Sequence, residues 1–368
     1  MQTIDETRIL VAPLDWGLGH ATRCIPVIHE LLKRKYTVLI AAEGKTAVLL
    51  QQEFPELPLI KLSGYGIRYA KTRWGVLAAL LLQIPRILSA IRRERHWLDH
   101  IVAAHRIDIV LSDNRYGLYH PKAYSIFMTH QLLIKTPRPL FDAVLQKINY
   151  RLIRRFRECW VPDRPEAPGL AGELSHPADP PATPLFYTGA LSRFRLGPPV
   201  PPKHLLVLLS GPEPQRSLLE EKLLRQLRSY TQPVVFVRGL PGEEALPAAP
   251  PHIFLKNHLP APALEQVLAE AGTVISRCGY STVMDLACLG KKSILVPTPG
   301  QTEQEYLSRH LMQAGLALCL PQDKFELEAA LELAATFPYR FLPEADGQRD
   351  QLSTLLDGLP QRVKKRPA

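Results

Sequence analysis

Two short segments in the C-terminal half combine residue types that bind phosphate and sugar. In the first, Arg277 ends a run of apolar and β-branched residues, Gly279 permits a tight turn, and Ser281 and Thr282 open a helical pattern. Backbone N–H groups at such a helix start attract anions, and a carboxylate one turn later, here Asp285, can accept hydrogen bonds from both hydroxyls of a ribose. Simple capping of the helix by Ser281 or Thr282 is the alternative interpretation.

The second segment is the polar loop 298–306, which follows the next apolar run and opens another helical pattern. Its adjacent residues Glu303 and Gln304, preceded by Gln301, offer acceptors and donors that suit sugar hydroxyls, although they also suit an ordinary helix start. Loops that follow neighbouring strands of a parallel sheet lie along one edge, where ligands bind in open α/β folds. We therefore expect both segments to contribute to one binding site.

The N-terminal half contains a candidate general base. Gly17, Gly19 and His20 follow an apolar run at 9–14, and Asp113 follows another at 107–112. Glycines let the backbone approach a ligand closely, and an imidazole titrates in the range needed to accept a proton from an attacking hydroxyl. A carboxylate on the other ring nitrogen fixes the tautomer, so we assign that part to Asp113. The alternatives are a structural histidine and an Asp-Asn turn.

The elements that must position these residues alternate between β-rich runs and amphipathic helical patterns, first within residues 9–160 and again within 205–320. This alternation predicts two doubly wound α/β domains. We place an N-terminal acceptor-side domain at 1–190, a Pro-rich linker at 191–203, a donor domain at 204–345, and a C-terminal helix with a basic tail at 346–368. His130 and Gln131 follow the run 124–129, on the same predicted edge as His20, and are candidate acceptor contacts.

The charge distribution is uneven. The chain has 368 residues and a net charge of +10, and residues 1–160 hold 24 Lys and Arg against 13 Asp and Glu, which leaves the rest close to neutral. A basic first half predicts an anionic partner, such as an acidic membrane surface, a phosphorylated substrate or nucleic acid. Aromatic residues are not interleaved with these charges as base stacking requires, so we do not expect nucleic acid.

Cysteine usage and the N-terminus favour the cytoplasm. The five cysteines are scattered and never spaced as Cys-x-x-Cys, which indicates neither a disulfide framework nor a zinc site. No secretion signal is visible in the first residues.

Two apolar segments raise the question of a membrane. Residues 74–84 are almost wholly apolar and precede Arg92, Arg93 and Arg95, and residues 139–156 form an amphipathic helical pattern with a basic end. The first is too short to span a bilayer, which takes ~20 residues. Both segments are either core-facing helices with solvated basic faces or surfaces that rest on an acidic membrane.

The motif Ser-Arg-Cys-Gly-Tyr-Ser-Thr-Val-Met-Asp-Leu at 276–286, with Pro-Thr-Pro-Gly-Gln at 297–301 and Glu-Gln at 303–304, resembles the donor domain of GT-B glycosyltransferases, family 28 in particular. The resemblance covers most of the chain and implies two Rossmann-like domains facing a central cleft. It also implies that Ser281 and Thr282 contact the donor diphosphate, that Asp285 holds the ribose, and that Glu303 and Gln304 hold the sugar. Asp285 stands where a Glu is more usual in the family.

The same resemblance extends to other loops. Residues 210–216 match the family's diphosphate loop in position, residues 256–259 the border of the nucleobase, and residues 15–20 its glycine-rich loop ending in His. The predicted catalytic pair is His20 and Asp113. The predicted donor-binding residues are Gly17, Gly19, Ser210, Gly211, Arg216, Asn257, His258, Arg277, Gly279, Ser281, Thr282, Asp285, Gln301, Glu303 and Gln304.

The implied activity is inverting transfer of a hexose or N-acetylhexosamine from a UDP-sugar to an acceptor hydroxyl. The basic first half and its apolar segments favour a lipid-linked or phosphorylated acceptor at the inner face of the membrane, with the protein cytoplasmic or peripheral to it, and a small soluble acceptor is the alternative. No metal or other cofactor is expected, because no Asp-x-Asp occurs in the chain to clamp a metal diphosphate. The alternatives are a UDP-sugar epimerase or hydrolase and a non-catalytic nucleotide-sugar-binding subunit.

Overall fold

The computed structural model of the protein describes residues 7–15, 17–65, 73–136, 139–195, 197–242, 245–341 and 346–364. For residues 73–84, 139–141 and 346–350 it describes the backbone of a helix but not the side chains. The chain divides into two compact units. The described residues up to 65, Trp74–Leu191 and the C-terminal residues from Asp346 form the first unit, and the second runs from Ser192 to residue 341.

The first unit is built on a seven-stranded parallel sheet with the strand order β3-β2-β1-β4-β5-β6-β7. Its strands are β1 (Arg8–Pro13), β2 (Thr37–Ala42), β3 (Leu59–Lys61), β4 (Ile109–Asp113), β5 (Tyr124–Met128), β6 (Glu158–Val161) and β7 (Leu185–Tyr187). Its helices are α1 (Leu18–Lys33), α2 (Gly44–Glu53), α3 (Arg73–His105) and α4 (Pro139–Ile153).

The second unit repeats this plan with a six-stranded parallel sheet in the order β10-β9-β8-β11-β12-β13. Its strands are β8 (His204–Leu208), β9 (Val234–Val237), β10 (Ile253–Lys256), β11 (Ala271–Arg277), β12 (Ser293–Val296) and β13 (Leu318–Cys319). Its helices are α5 (Gln215–Gln226), α6 (Ala261–Glu270), α7 (Tyr280–Cys288), α8 (Thr302–Gln313) and α9 (Leu327–Thr336). The predicted α/β class with two doubly wound sheets is confirmed.

Two C-terminal helices, α10 (Asp346–Asp357) and α11 (Leu359–Lys364), return to the first unit. Arg362 Nε donates to Oε2 of the buried Glu158 at 2.9 Å. Arg34, at the end of α1, donates to Asp357 Oδ1 at 2.8 Å. These ion pairs join the last described helices to β6 and to the end of α1.

In each sheet the strand order reverses next to the first strand. The reversal falls between β1 and β4 in the first unit and between β8 and β11 in the second. Loops that leave such a pair of strands diverge to opposite faces of the sheet and open a crevice at the carboxyl edge, which is where α/β proteins bind ligands. Many of the predicted site residues lie in the loops and helix starts that follow these four strands, and the others follow β5, β10 and β12.

The helices and strands form where apolar residues recur at a spacing that lets them be buried together. Helix α1 buries Cys24, Ile25, Ile28 and Leu31 at helical spacing against the sheet, and all five residues of β4 are buried. The second unit has its own core around Val207, Phe236 and Ile294, among others. Among the described residues, no helix is both long enough and apolar enough to cross a membrane. The side chains of the predicted apolar segment 74–84 lie outside the described residues.

Gly239, two residues after β9, packs closely against the chain that leaves β8. Its φ is +71°, and a Cβ added there would lie 2.2 Å from the carbonyl oxygen of Leu209, the residue that follows β8. Gly242 has a similar φ of +86°, but a Cβ there would meet no described atom within 4 Å. Comparison of substitutions at these two glycines therefore distinguishes the cost of the backbone conformation from the cost of steric overlap.

We expect Gly239→Ala to destabilise the protein more than Gly242→Ala. Both substitutions force alanine into the left-handed region, at a cost of about 1 kcal/mol, and only Gly239→Ala also overlaps the neighbouring strand end, for a total of about 3 kcal/mol. Thermal and urea unfolding of the two variants measure the difference. Equal losses of stability would contradict the steric explanation.

Candidate active site

A turn built on Gly17 joins β1 to α1 in the first unit. Gly17 has a φ of +92°, its N–H donates to the carbonyl of Asp15 at 2.9 Å, and it occupies the N-terminal cap position of α1. Because this conformation favours glycine, the turn can place His20 in the first turn of the helix, at the carboxyl edge of the sheet. Gly19 lies within the same turn of helix and is partly exposed.

His20 and Asp113 form the predicted pair. Asp113 is the last residue of β4 and is fully buried, and its Oδ2 lies 2.9 Å from Nδ1 of His20. The His20 side chain keeps 15% of its surface exposed. Its Nε2 makes no hydrogen bond with the described residues, which leaves that atom for a ligand. The alternative of a simple Asp-Asn turn does not account for this contact.

Arg23, which the sequence analysis did not select, lies at the centre of this site. Its Nε is 3.0 Å from both carboxylate oxygens of Asp113, and its Nη2 also contacts Asp113 Oδ1. Nη1 lies 3.1 Å from His130 Nδ1, and Nη2 lies 2.8 Å from His20 Nδ1. A sequence signal existed, because Arg23 interrupts the apolar stripe of α1, and a charge on a buried helix face requires a partner.

Burial and the neighbouring charges set the ionisation of this pair. Burial lowers the pKa of His20 and Arg23 lowers it further, while Asp113 opposes both. Burial alone would raise the pKa of Asp113, but Arg23 and His20 hold it below its ordinary value. At neutral pH the site therefore contains a carboxylate, a guanidinium and a neutral imidazole, which is the form of histidine that can accept a proton.

The two predicted acceptor contacts differ in their surroundings. His130 is buried, and its Nδ1 contacts the guanidinium of Arg23. Gln131 is partly exposed, and its backbone N–H donates to Thr129 Oγ1 at 3.0 Å. Contact of either residue with an acceptor stays a prediction.

A second buried ionic cluster shapes the same edge of the first unit. Glu94 of α3 accepts hydrogen bonds from Arg115 Nη1 at 2.9 Å, Tyr65 Oη at 2.8 Å and the N–H of Gly117 at 3.0 Å. Burial raises the pKa of Glu94 to about 7, although Arg115 opposes the shift. Arg115 also donates to the carbonyls of residues 13 and 63, so the cluster ties three strand-end loops together.

In the second unit, Gly211 lies above two unsatisfied polar groups. It follows β8 with a φ of +107°, and a Cβ there would lie 3.9 Å from both Arg277 Cγ and Thr298 Oγ1. Thr298 Oγ1 and Arg277 Nε are buried and have no hydrogen-bond partner among the residues that the structure describes. Ser210, the residue before Gly211, is exposed.

Arg277 is a buried cation without a counter-charge. It ends β11, is 1% exposed, and donates only to the carbonyls of residues 215, 296 and 297. Within the described part of the chain it forms no ion pair, and burial lowers its pKa to about 10. Because an isolated buried charge is costly, the arrangement indicates a site for an anion.

Arg216, by contrast, already has its counter-charges. Its Nε donates to Glu213 Oε1 at 2.6 Å, and its Nη1 pairs with the buried Glu220. Glu220 also accepts from Arg238 Nε at 2.9 Å. The diphosphate contact predicted for Arg216 stays a prediction, but its charge is balanced within the unit and that of Arg277 is not.

The two residues predicted to border the nucleobase follow β10. Asn257 Oδ1 accepts from Arg238 Nη1 at 2.6 Å, and its Nδ2 donates to the carbonyl of Ala245 at 3.3 Å. Burial, and after it the charge of Arg193, lowers the pKa of His258. Arg238 therefore links Asn257 to Glu220 of α5 and holds the Asn257 side chain in place.

Helix α7 begins without a side-chain cap. Its cap position is Gly279, which has no side chain, and Ser281 and Thr282 lie in the first turn, partly exposed. Neither Ser281 nor Thr282 occupies the cap position of this helix. The amide groups of its first turn point towards the carboxyl edge of the sheet, as anion binding at a helix start requires.

Asp285 contacts the start of the second unit. Ser192 Oγ donates to Asp285 Oδ1 at 2.6 Å. Burial raises the pKa of Asp285 to about 6, with Arg193 and the Ser192 hydrogen bond opposing the shift. One carboxylate oxygen is thus engaged within the protein, and the ribose contact stays a prediction.

Gln304 braces the loop that precedes α8. Its Oε1 accepts from the N–H of Thr298 at 2.8 Å, and its Nε2 donates to Gln301 Oε1 at 2.5 Å. Glu303, beside it, is partly exposed. The loop is therefore preorganised by Gln304, whose predicted contact with the donor sugar, like those of Gln301 and Glu303, is not tested by this geometry.

Comparison with known proteins finds a family match in the C-terminal part of the chain. The model of the glycosyltransferase family 28 C-terminal domain matches residues 261–353. The chain carries a family 28 glycosyltransferase domain. The resemblance predicted from the sequence is confirmed, and the chain has the GT-B fold.

A curated relative is the UDP-N-acetylglucosamine-N-acetylmuramyl-(pentapeptide) pyrophosphoryl-undecaprenol N-acetylglucosamine transferase of Methylobacterium radiotolerans. It is 32% identical over 212 residues, which cover 51% of this chain and 53% of the relative. Across the curated relatives first matched, the chain spans about a quarter to about half of their length, from 23% to 53%.

Solved structures share the fold over nearly the whole chain. The glycotransferase of kitacinnamycin has a TM-score of 0.66 at 15% identity, covering 97% of this chain and 98% of its own. A structure assigned as a UDP-N-acetylglucosamine 2-epimerase from Listeria monocytogenes has a TM-score of 0.63 at 15% identity, covering 100% and 99%. At such identity the likeness establishes the fold only.

The family 28 match contains some of the predicted site residues and not others. Arg277, Ser281, Asp285 and Gln304 lie within residues 261–353, whereas His20 lies in the first unit, outside the match. The roles of all these residues in donor binding and catalysis stay predictions.

Proposed function

We propose that the protein is a glycosyltransferase that moves a hexose or N-acetylhexosamine from a UDP-sugar to an acceptor hydroxyl, with inversion and without a metal. The observation that supports this most directly is the buried, uncompensated guanidinium of Arg277 beneath the Gly211 turn. A diphosphate would supply the missing negative charge. It would also give Arg277 Nε and Thr298 Oγ1 the partner that each lacks.

The leaving group explains why this charge suits transfer. When the bond between the anomeric carbon and the diphosphate oxygen breaks, the nucleoside diphosphate gains negative charge. Arg277 and the amides at the start of α7 are placed to stabilise that charge without reorganisation. The proposed reaction therefore uses protein groups where other glycosyltransferases use a metal.

The first unit supplies the proton acceptor in this proposal. The acceptor hydroxyl attacks the anomeric carbon from the face opposite the diphosphate, and its proton passes to Nε2 of His20. Asp113, on Nδ1, then stabilises the imidazolium that forms. A single displacement of this kind inverts the anomeric centre.

The identity of donor and acceptor is inferred from the relatives. Several curated relatives are named for UDP-N-acetylglucosamine as donor and a pyrophosphoryl-undecaprenol acceptor. We infer a UDP-sugar and a lipid-linked or phosphorylated acceptor for this chain, with the protein on the cytoplasmic side of the membrane and peripheral to it.

Exposed apolar residues on α4 support contact with an acidic membrane. Val144 and Ile148, 57% and 48% exposed, share a helix face with the exposed Arg151, at spacings of four and three residues. Ile153, further along, is in the core. The predicted apolar stripe is therefore only partly a core face, and its outer part combines apolar and basic groups as membrane-surface helices do.

The first prediction concerns Arg277. We expect Arg277→Met to weaken UDP binding by about 10- to 100-fold, because a charge-assisted contact with phosphate is worth about 1.5–3 kcal/mol. Binding of uridine, which has the same base and ribose but no phosphate, should be unchanged. Calorimetric titration of both ligands checks this, and an equal loss for uridine would show that the variant had merely disturbed the fold.

The second prediction tests the reaction itself. We expect His20→Ala to lower acceptor-dependent UDP release about 10²- to 10⁴-fold and to leave UDP affinity unchanged, because only the proton acceptor is removed. UDP-N-acetylglucosamine and the undecaprenyl-diphosphate-linked acceptor of the relatives are the first substrates to assay. His29→Ala, on the same helix but 57% exposed, is the control and should keep full activity.

The products of that assay separate the alternatives. UDP release that needs no acceptor would indicate a hydrolase, and conversion of the donor to its C2 epimer would indicate an epimerase. Binding without any turnover would indicate a nucleotide-sugar-binding subunit. Each of these outcomes contradicts the transferase proposal.

The third prediction concerns the membrane. We expect the double variant Val144→Ser and Ile148→Ser to lose at least about tenfold in affinity for vesicles containing phosphatidylglycerol, because two apolar side chains no longer enter the interface. Leu218→Ser, which removes a 48% exposed apolar residue from α5 in the other unit, is the matched control. Vesicle pelleting at low and high salt measures both, and equal binding by all variants would exclude this surface.

A further inference from the structure

The guanidinium of Arg23 contacts three polar side chains at once. It is 2% exposed, it holds both oxygens of Asp113 through Nε at 3.0 Å, and it reaches His20 and His130 through its two terminal nitrogens. Such a fork holds a carboxylate in one orientation, because both the distances and the plane are fixed. The orientation of Asp113 decides which of its oxygens faces His20.

Nδ1 of His20 has two hydrogen-bonding neighbours, and one of them requires a hydrogen on Nδ1 whereas the other requires a lone pair. Asp113 Oδ2, at 2.9 Å, can only accept a hydrogen, and Arg23 Nη2, at 2.8 Å, can only donate one. The hydrogens of Arg23 have other acceptors in Asp113 Oδ1 and His130 Nδ1, whereas a hydrogen on Nδ1 has only Asp113 Oδ2. The arrangement that satisfies more groups places the hydrogen on Nδ1 and leaves the lone pair on Nε2.

The charges around His20 also favour its neutral form. The groups that face it are Asp113 from β4, Arg23 from α1 and His130 after β5, while Cys24 of α1 faces Asp113 from 3.9 Å. Burial, and after it Asp113, raises the pKa of Cys24 well above the ordinary value although Arg23 opposes the shift, so Cys24 stays an uncharged thiol. One carboxylate already balances one permanent cation, so protonation of His20 would add a second cation to a buried site.

We propose that Arg23 is a positioning residue of the reaction. It orients the Asp113 carboxylate towards Nδ1 of His20, and it keeps the imidazole neutral, so that Nε2 is ready to accept a proton. Its part in turnover rests on the proposed function, but its effect on His20 does not. Arg23 acts through Asp113 and His20 and needs no contact with substrate.

The test is an NMR titration of the His20 ring nitrogens in the wild-type protein and in Arg23→Met, with the His20→Ala spectrum used for assignment. We expect His20 to titrate below the ordinary value of 6.5 in the wild type, and at least about one unit higher in Arg23→Met, because the carboxylate is then unopposed. Arg34→Met, from the C-terminal end of the same helix, is the matched control and should leave the titration unchanged.

In Arg23→Met the acidic limb of the kcat/KM profile should move to higher pH by the same amount, because the base must be neutral. A purely structural role would lower activity at every pH and leave the limb in place. Arg23→Lys, which keeps the charge but not the fork, should lower kcat with a smaller movement of the limb.

A folded Arg23→Met protein in which His20 titrates as in the wild type would overturn the proposal. Should that variant fail to fold, a wild-type His20 that titrates above 6.5 would do the same. The role of Arg23 and the proposed function can fail independently. If the His20 titration rises in Arg23→Met but no transferase activity is found in any variant, the proposed function is refuted and the role of Arg23 is retained. If transfer is normal and the titration does not move, the role of Arg23 is refuted and the proposed function is retained.

Discussion

The first unit's site depends on a single negative charge, that of Asp113. This carboxylate is fully buried at the end of a central strand, where desolvation would ordinarily favour its neutral form. Arg23 and His20 reverse that preference, and in return the carboxylate permits a guanidinium and an imidazole to share a buried position. Removal of any one of the three would leave the other two with unbalanced charge or an unsatisfied hydrogen bond, so the ionisation of each depends on the other two.

The second unit shows the opposite arrangement. Arg277 occupies the corresponding place, at the end of β11 beside the strand-order reversal, but its charge has no carboxylate to balance it within the described part of the chain. The same fold thus carries an internally neutral site in one unit and an electropositive one in the other. A site whose charges balance internally is suited to moving a proton, whereas a site with an unbalanced positive charge is suited to holding an anion. The two units have therefore diverged in electrostatics while keeping the same topology.

The sequence predicted the alternating elements and the loops that carry chemistry, because periodicity and glycine positions are local signals. Strand β7 was not predicted, since it is three residues long and lies in a Pro-rich segment that is held by buried Asp163, whose carboxylate accepts from the N–H groups of residues 170 and 171. The pairing of Arg23 with Asp113 could not be predicted either, because the two residues are 90 positions apart in the sequence. The partners of Arg216, three and four residues away, are a local signal that the sequence analysis did not use.

The return of α10 and α11 to the first unit places most of the second unit inside the first in sequence. Along the backbone, the residues from Ser192 to the end of the second unit separate two parts of the first unit by about 150 residues. The first unit cannot be reproduced by a simple N-terminal fragment, because Glu158 and Arg34 would then lose the partners that Arg362 and Asp357 provide. Exchange of either unit between relatives by recombination therefore requires two junctions, one on each side of the intervening segment.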